Sequence, residues 1–142
     1  MLVMGILNVT PDSFADGGRH HDFDAAVKRG LEMIAEGVDI IDVGGESTRP
    51  GADRVSQEEE IARTIPVIAE LSKYGAIISI DTMRASTAEA AVKAGAVMIN
   101  DVSGGLADEA MLQTAAELKV PYIAMHWRGQ SKDMNSKAVY GD

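Results

Sequence analysis

The sequence predicts an α/β protein built from repeated strand–helix units, and three observations predict it. Five short apolar runs, Met4–Leu7, Val38–Ile41, Ile77–Ile80, Val97–Ile99 and Tyr122–Met125, each lead into a polar residue: Asn8, Asp42, Asp81, Asn100 and His126. A helical pattern separates each run from the next. Such runs, apolar without strict alternation, are how parallel strands covered on both faces read. Finally, the first strand–helix turn holds neither a Gly-x-Gly-x-x-Gly pattern nor a P-loop, one of which an open doubly wound sheet would usually carry there. The prediction is therefore a TIM (β/α)8 barrel, with reactive side chains at the C-terminal strand ends. Such a barrel needs eight units and about 250 residues, so 142 residues hold only about the first five βα units.

Taken in order, the first strand is Leu2–Leu7, followed by a long loop rich in Asp, Gly and Pro. Helix one spans roughly Asp24–Glu36, with Val27, Leu31 and Ile34 on one face and Gly37 as its stop. The second strand is Val38–Val43, and its loop runs from Gly44 to Val55. Ser56 with Glu59 is a capping box for helix two, whose inward stripe is Ile61, Ile65, Ile68 and Leu71. Gly75 closes that helix and strand three is Ala76–Ile80. Ser86 with Glu89 caps helix three, which ends at Gly95. Strand four is Val97–Ile99, and Asp108 caps helix four, which carries Met111, Leu112, Ala115 and Leu118. Strand five is Val120–Met125, and Trp127–Asp142 reads as loop.

Composition narrows the classes of function. The net charge of −9 speaks against nucleic acid, whose phosphates require a basic footprint. An anionic ligand would need local help from Arg49, Arg84, Arg128, loop N–H groups or a bound cation. No apolar stretch approaches the ~18–20 residues needed to cross a bilayer, and Met1–Met4 lacks a basic signal-peptide start. With zero cysteines there are no disulfides, thiolate metal sites or thiol nucleophiles, and cytoplasm is the expected location.

Chemistry concentrates in the loops. Asn8–Gly18 carries hydrogen-bonding side chains, Phe14 and a Gly-Gly pair, and Asn8 offers an amide oxygen suited to Mg²⁺. The same composition also fits a polar turn rich in Asx motifs. Gly44–Ala52 sets the hydroxyls of Ser47 and Thr48 and the Arg49 guanidinium beside glycine-flanked backbone. Arg49 suits either a bidentate carboxylate grip or a surface ion pair. Asp81 and Asn100 directly follow buried strands, where a carboxylate and an amide can read the edge of a flat nitrogen heterocycle or cap loop N–H groups. His126 has no second His or Cys at ligand spacing, so zinc has no support. Ser-based hydrolysis has none either, because no Gly-x-Ser-x-Gly is present.

Taken together, MGILNVTPDSFADGG at residues 4–18, DVGGESTRP at 42–50, SIDT at 79–82, NDVSG at 100–104 and Met125-His126 resemble dihydropteroate synthase. Nearly the whole chain aligns with the N-terminal half of that family, and Met125-His126-Trp127-Arg128 is similar in wording to actinobacterial versions. Ala15 stands where the family usually has a hydroxyl residue.

The resemblance implies a TIM-barrel transferase of folate synthesis. It would join 6-hydroxymethyl-7,8-dihydropterin diphosphate to 4-aminobenzoate and release diphosphate. By family analogy Asn8 contacts Mg²⁺ and diphosphate, while Asp81 and Asn100 hydrogen-bond the pterin and stand with Asp12 as the catalytic candidates. Thr48 and Ser47 belong to the substrate site, with Thr48 on the diphosphate and aminobenzoate side; Phe14, Arg49 and Pro50 shape the aminobenzoate and sulfonamide site.

The family's remaining groups, another acidic pterin contact, a lysine and an Arg-x-His motif, belong to its second half and have no counterpart in this sequence. A five-stranded partial barrel exposes two edges. The chain, residues 1–142, is therefore expected to be the N-terminal part of a pterin-binding barrel domain, with little or no turnover alone. Its expected partners are the two small-molecule substrates and a complementary C-terminal half or a second copy, with neither nucleic acid nor membrane among them. A non-catalytic pterin-binding or assembly module and a pterin-binding methyltransferase domain are the alternatives.

Overall fold

The computed structural model describes residues 2–9, 18–45 and 55–124, with side chains for 2–9, 22–45 and 55–123. Among these, five strands alternate with four helices: β1 (Met4–Asn8), α1 (Gly18–Ala35), β2 (Ile40–Gly44), α2 (Gln57–Ser72), β3 (Ile78–Asp81), α3 (Ala85–Ala94), β4 (Met98–Asp101), α4 (Met111–Leu118) and β5 (Tyr122–Ala124). The strands form one parallel sheet in the order β1-β2-β3-β4-β5. A consecutive order without reversal is the wall of a (β/α) barrel, and it lacks the switch point of a doubly wound sheet. Right-handed crossovers place every helix on the same side, and neighbouring helices accordingly pack on one another, α1 on α2, α2 on α3 and α3 on α4.

The core lies between sheet and helices. Leu7, Val9, Ile41, Val43, Ile78, Ile80 and Ile99 meet Val67, Ile68, Leu71, Ala88, Ala91 and Met111, all buried. Each large aliphatic side chain hidden there stabilises the fold by about 1.5–3 kcal/mol. Strand alternation turns the other set of residues, among them Met4, Ile6, Asp42, Ser79 and Asn100, to the opposite face. Met4 and Ile6 are 36% and 57% exposed there. In a closed barrel this is the interior face.

Several expected boundaries move. The first four strands begin and end later than the expected strands, because pairing to the neighbouring strand takes in Asn8, Gly44, Asp81, Asn100 and Asp101. Asp42 therefore opens no loop; it is the third of the five residues of β2. Ile77 and Val97, read as strand residues, precede their strands and are half exposed. Helix α1 starts at Gly18, earlier than the Asp24 start expected, and Gly37 and Gly75 follow α1 and α2 with φ of 93° and 81°, as stop glycines do.

Ser56 caps α2 as expected, its Oγ accepting from the Glu59 N–H at 3.1 Å. The buried stripe of α2 is Glu60, Thr64, Val67, Ile68 and Leu71, rotated from the expected one so that Ile61 is only partly buried. Ser86 lies inside α3 and does not cap it. The N-cap position is Arg84, without a side-chain bond, and Asp108 reaches across to accept from the Ala85 N–H at 2.7 Å. Asp108 also accepts from Ala110 N–H at 2.9 Å, while α4 has Ala110 at its own N-cap position. These two backbone donors hold the Asp108 carboxyl below its usual pKa. No helix among the described residues is long and apolar enough to cross a membrane.

Candidate functional site

At the C-terminal ends of the strands, register aligns Asn8 with Gly44, Gly44 with Asp81 and Asp81 with Asn100. Partners in a parallel ladder share a face, so Asn8, Asp81 and Asn100 form one polar row on the interior side. Asn8 is exposed, Asp81 partly buried and Asn100 buried. Gly44 keeps the row open, since a Cβ there would come within 3.3 Å of the Asp81 Cβ. Two residues closer to the strand starts, Asp42 pairs in register with Ser79.

Asp42 is 1% exposed. Ser79 Oγ donates to its Oδ1 at 2.5 Å and Asn100 Nδ2 donates to its Oδ2 at 3.1 Å. Both donors are neutral. Burial pushes the Asp42 carboxyl above the usual carboxylate range, against the opposing effect of those two bonds. Asn100 uses its amide nitrogen on Asp42, and its buried Oδ1 has no hydrogen-bond partner. A buried acceptor left open costs free energy unless something donates to it, so this oxygen is available to a donor from outside the chain. With the Asp81 carboxylate next to it in the row, the arrangement offers acceptors to a planar ligand edge that carries N–H groups.

Asp101, on the other side of β4, shapes the following loop. Its carboxylate accepts from Ser103 N–H and Oγ at 2.9 and 2.7 Å, Gly105 N–H at 3.0 Å and Tyr122 OH at 3.0 Å. Burial, the bond to Asp101 and the charge of Asp101 push the Tyr122 hydroxyl up to about 12.

A third buried acid, after Asp42 and Asp101, sits behind the strand ends. Glu60 accepts from Thr82 Oγ1 at 2.7 Å, Thr87 Oγ1 at 2.8 Å and the Arg84 guanidinium at 2.9 Å. Arg84 also donates to Val55 O, and Arg63 donates to Gly45 O at 2.8 Å. The two residues flanking segment 46–54 are thereby held by arginines, Gly45 by Arg63 of α2 and Val55 by Arg84 at the start of α3.

Of the candidates read from sequence, the structure brings Asn8, Asp81 and Asn100 onto one row. Asp12, Phe14, Ser47, Thr48, Arg49 and Pro50 lie outside the described residues, as do His126 and Arg128. Sequence reasoning missed Ser79 and the place of Asp42 beneath Asn100. The available signal was a polar residue inside an apolar buried run, Ser79 in Ile77-Ile78-Ser79-Ile80 and Asp42 in Ile40-Ile41-Asp42-Val43. Glu60 was missed as well.

Among the described residues no group of three or more His, Cys, Asp or Glu could hold a metal ion. Exposed Asn8 offers one neutral oxygen, which fits a Mg²⁺ ion whose other ligands are phosphate oxygens and water, and does not fit a cage made by protein alone. A shallow groove between α1 and α2, lined by Phe23, Val27, Leu31 and Glu70, lies in the helix layer, away from this row.

The sequence profile of the family described as pterin binding enzyme matches residues 4–142. The chain belongs to the pterin binding enzyme family. Within that family it is similar to the dihydropteroate synthase of Mycobacterium leprae, 54% identical over 92% of this chain and 46% of that protein. Two solved structures of the Xanthomonas albilineans dihydropteroate synthase are also similar. One, with 4-aminobenzoic acid, superposes with a TM-score of 0.82 at 51% identity, covering 90% of this chain and 47% of the other. The second, in complex with 7,8-dihydropteroate, gives 0.77 at 46% identity over 89% of this chain and 46% of the other. The chain thus spans about half the length of the relatives it matches, and its five βα units correspond to part of their TIM barrel.

Proposed function

We propose that residues 1–142 are the N-terminal part of a dihydropteroate synthase barrel, which condenses 6-hydroxymethyl-7,8-dihydropterin diphosphate with 4-aminobenzoate to give 7,8-dihydropteroate and diphosphate. The observation that carries the proposal is the interior row of Asp81 and Asn100, with an open carbonyl on Asn100, in a chain half identical to enzymes of that name. The Xanthomonas structures with 4-aminobenzoic acid and with 7,8-dihydropteroate support the choice of substrate and product.

An aniline nitrogen is a weak nucleophile, which favours departure of diphosphate before attack. The C–O bond to diphosphate breaks first, and ring nitrogen donation stabilises the methylene cation. The C–N bond then forms and the amine loses its proton. In this scheme Asp81 and Asn100 hold and orient the pterin edge, the work of an enzyme that stabilises developing charge and excludes water. Asn8 would hold a Mg²⁺ ion, which when bound neutralises the leaving diphosphate. We assign Asp12 to the catalytic set, Ser47 and Thr48 to the substrate oxygens, and Phe14, Arg49 and Pro50 to the aminobenzoate site, where sulfonamides would compete. The lack of cysteine accords with a cytoplasmic enzyme.

The partly exposed interior face at Met4 and Ile6 calls for complementary strands, so the chain alone is expected to turn over little or not at all. The test is dihydropteroate formation by the purified chain, alone and with the C-terminal half of a dihydropteroate synthase. Turnover that appears only with the second half supports the proposal. Pterin binding without product under both conditions would replace it with the non-catalytic pterin-binding module.

A further inference from the structure

We propose that Asp42 is a positioning residue that fixes which end of the Asn100 amide meets the ligand, and so makes the site select an N–H donor at that point. The inference rests on the pterin-binding reading above and names the atom that does the selecting.

An asparagine amide is ambivalent: rotated by half a turn it exchanges a carbonyl acceptor for an NH₂ donor, at almost no change in shape. Asp42 removes the ambivalence. Its Oδ2 accepts from Asn100 Nδ2 at 3.1 Å, and in its ionised form the carboxylate accepts only, so the amide then cannot turn its carbonyl toward it. Ser79 occupies the other carboxylate oxygen, donating at 2.5 Å, and the register that pairs Asp42 with Ser79 holds that bond in place. Both Asp42 and Ser79 are fully buried, so water does not replace either bond. The consequence is the open Oδ1 of Asn100, buried and without a partner. A ligand group that donates there completes the network. One that accepts there meets a second acceptor and leaves two lone pairs face to face.

The experiment compares two probes that differ along one ring edge: 6-hydroxymethylpterin, which has an exocyclic amino group beside an unprotonated ring nitrogen, and 6-hydroxymethyllumazine, in which an oxo group replaces the amino group and the neighbouring ring nitrogen carries a hydrogen. Dissociation constants are measured on the full chain, with the complementary half-barrel added where the chain by itself does not saturate. The wild type is expected to prefer the pterin by about tenfold to a hundredfold, the cost of a buried acceptor left unpaired. Asp42→Asn keeps an acceptor for Ser79 but presents NH₂ to Asn100, whose amide then reverses. The preference is expected to fall by about tenfold or more. Combining it with Asn100→Asp places an acceptor-only group at position 100 and is expected to restore the preference, an outcome that loss of structure could not produce.

A wild type that prefers the pterin while Asp42→Asn leaves the ratio unchanged, or weakens both probes equally, overturns the positioning role alone. A wild type that binds neither probe overturns the pterin reading, and the positioning role with it. Should Asp42→Asn not fold, NMR of the wild type decides. An Asn100 side-chain NH₂ protected from exchange before any probe is added supports the role, and one protected only after pterin binds overturns it.

Discussion

Two buried acids, Asp42 in β2 and Glu60 in α2, are each 1% exposed, yet their surroundings differ in kind. Glu60 is neutralised by the Arg84 guanidinium and further satisfied by two threonine hydroxyls. Asp42 has two neutral donors, one of which leaves its own carbonyl open. The first arrangement is closed: the Glu60 carboxylate has three donors, and through Arg84 it ties α2, the start of α3 and Val55 together. The second is left incomplete on the interior face. A paired acid behind the sheet holds a shape, while a neutral-donor acid within the sheet directs an unfinished polar group toward a ligand.

Breaking the closed arrangement should have the largest effect. Glu60→Ala removes the carboxylate that faces two hydroxyls and the mostly buried Arg84 guanidinium, whose side chain is 19% exposed. A loss of about 3–5 kcal/mol is expected, measured by urea unfolding; a loss below about 1 kcal/mol would mean that water reaches Arg84 freely.

Asp42→Ala leaves two neutral donors unpaired and should cost less, about 2 kcal/mol. Its pH signature is more telling. The folded-state pKa of Asp42 is raised by burial, so the folded protein holds that proton more tightly than the unfolded chain. The stability it contributes is therefore present below the ordinary carboxylate pKa of about 4 and declines as pH rises through the raised value. Urea midpoints across this range should show that decline in wild type, and Asp42→Asn should remove the component. An unchanged profile in the variant would place the proton elsewhere.

Asp108 supplies the opposite sign. Its pKa is lowered by two backbone donors, so its contribution is present above the ordinary carboxylate value and fades as pH falls through the lowered one. Asp108→Ala is expected to cost about 1 kcal/mol at neutral pH, with the gap to wild type closing in acid. Of similar size, Tyr122→Phe removes one bond to Asp101 and should cost about 0.5–1.5 kcal/mol. In the wild type, ultraviolet titration should place the Tyr122 hydroxyl near 12, and Asp101→Asn should bring it down by removing the adjacent charge. A hydroxyl titrating near 10 in wild type would remove the contact.

How much of this was legible beforehand follows from the particular residues. Apolar runs located the strands but misplaced their ends, because hydrophobicity reports burial whereas strand length is set by hydrogen bonds to a neighbour; Asp81 and Asn100 are polar and still inside the ladder. The run Glu58-Glu59-Glu60 reads as favourable charge at a helix start. Only the packing of α3 decides that Glu60 is the one taken inward, since Thr82, Thr87 and Arg84 wait there for it. Ser86 had the spacing of a cap, but the helix already begins at Ala85, with Arg84 extended before it, and Asp108 supplies the cap bond from a loop distant in sequence.

The sequence by itself determined the class of fold, the order of units and the family, because strand and helix periods are local and the motifs around Asn8, Asp42, Asp81 and Asn100 are contiguous in the chain. The tertiary structure alone decided that Asp42, Ser79 and Asn100 meet. They come from three different strands, and parallel register, a property of neighbouring backbones, sets them on one face and aims one amide.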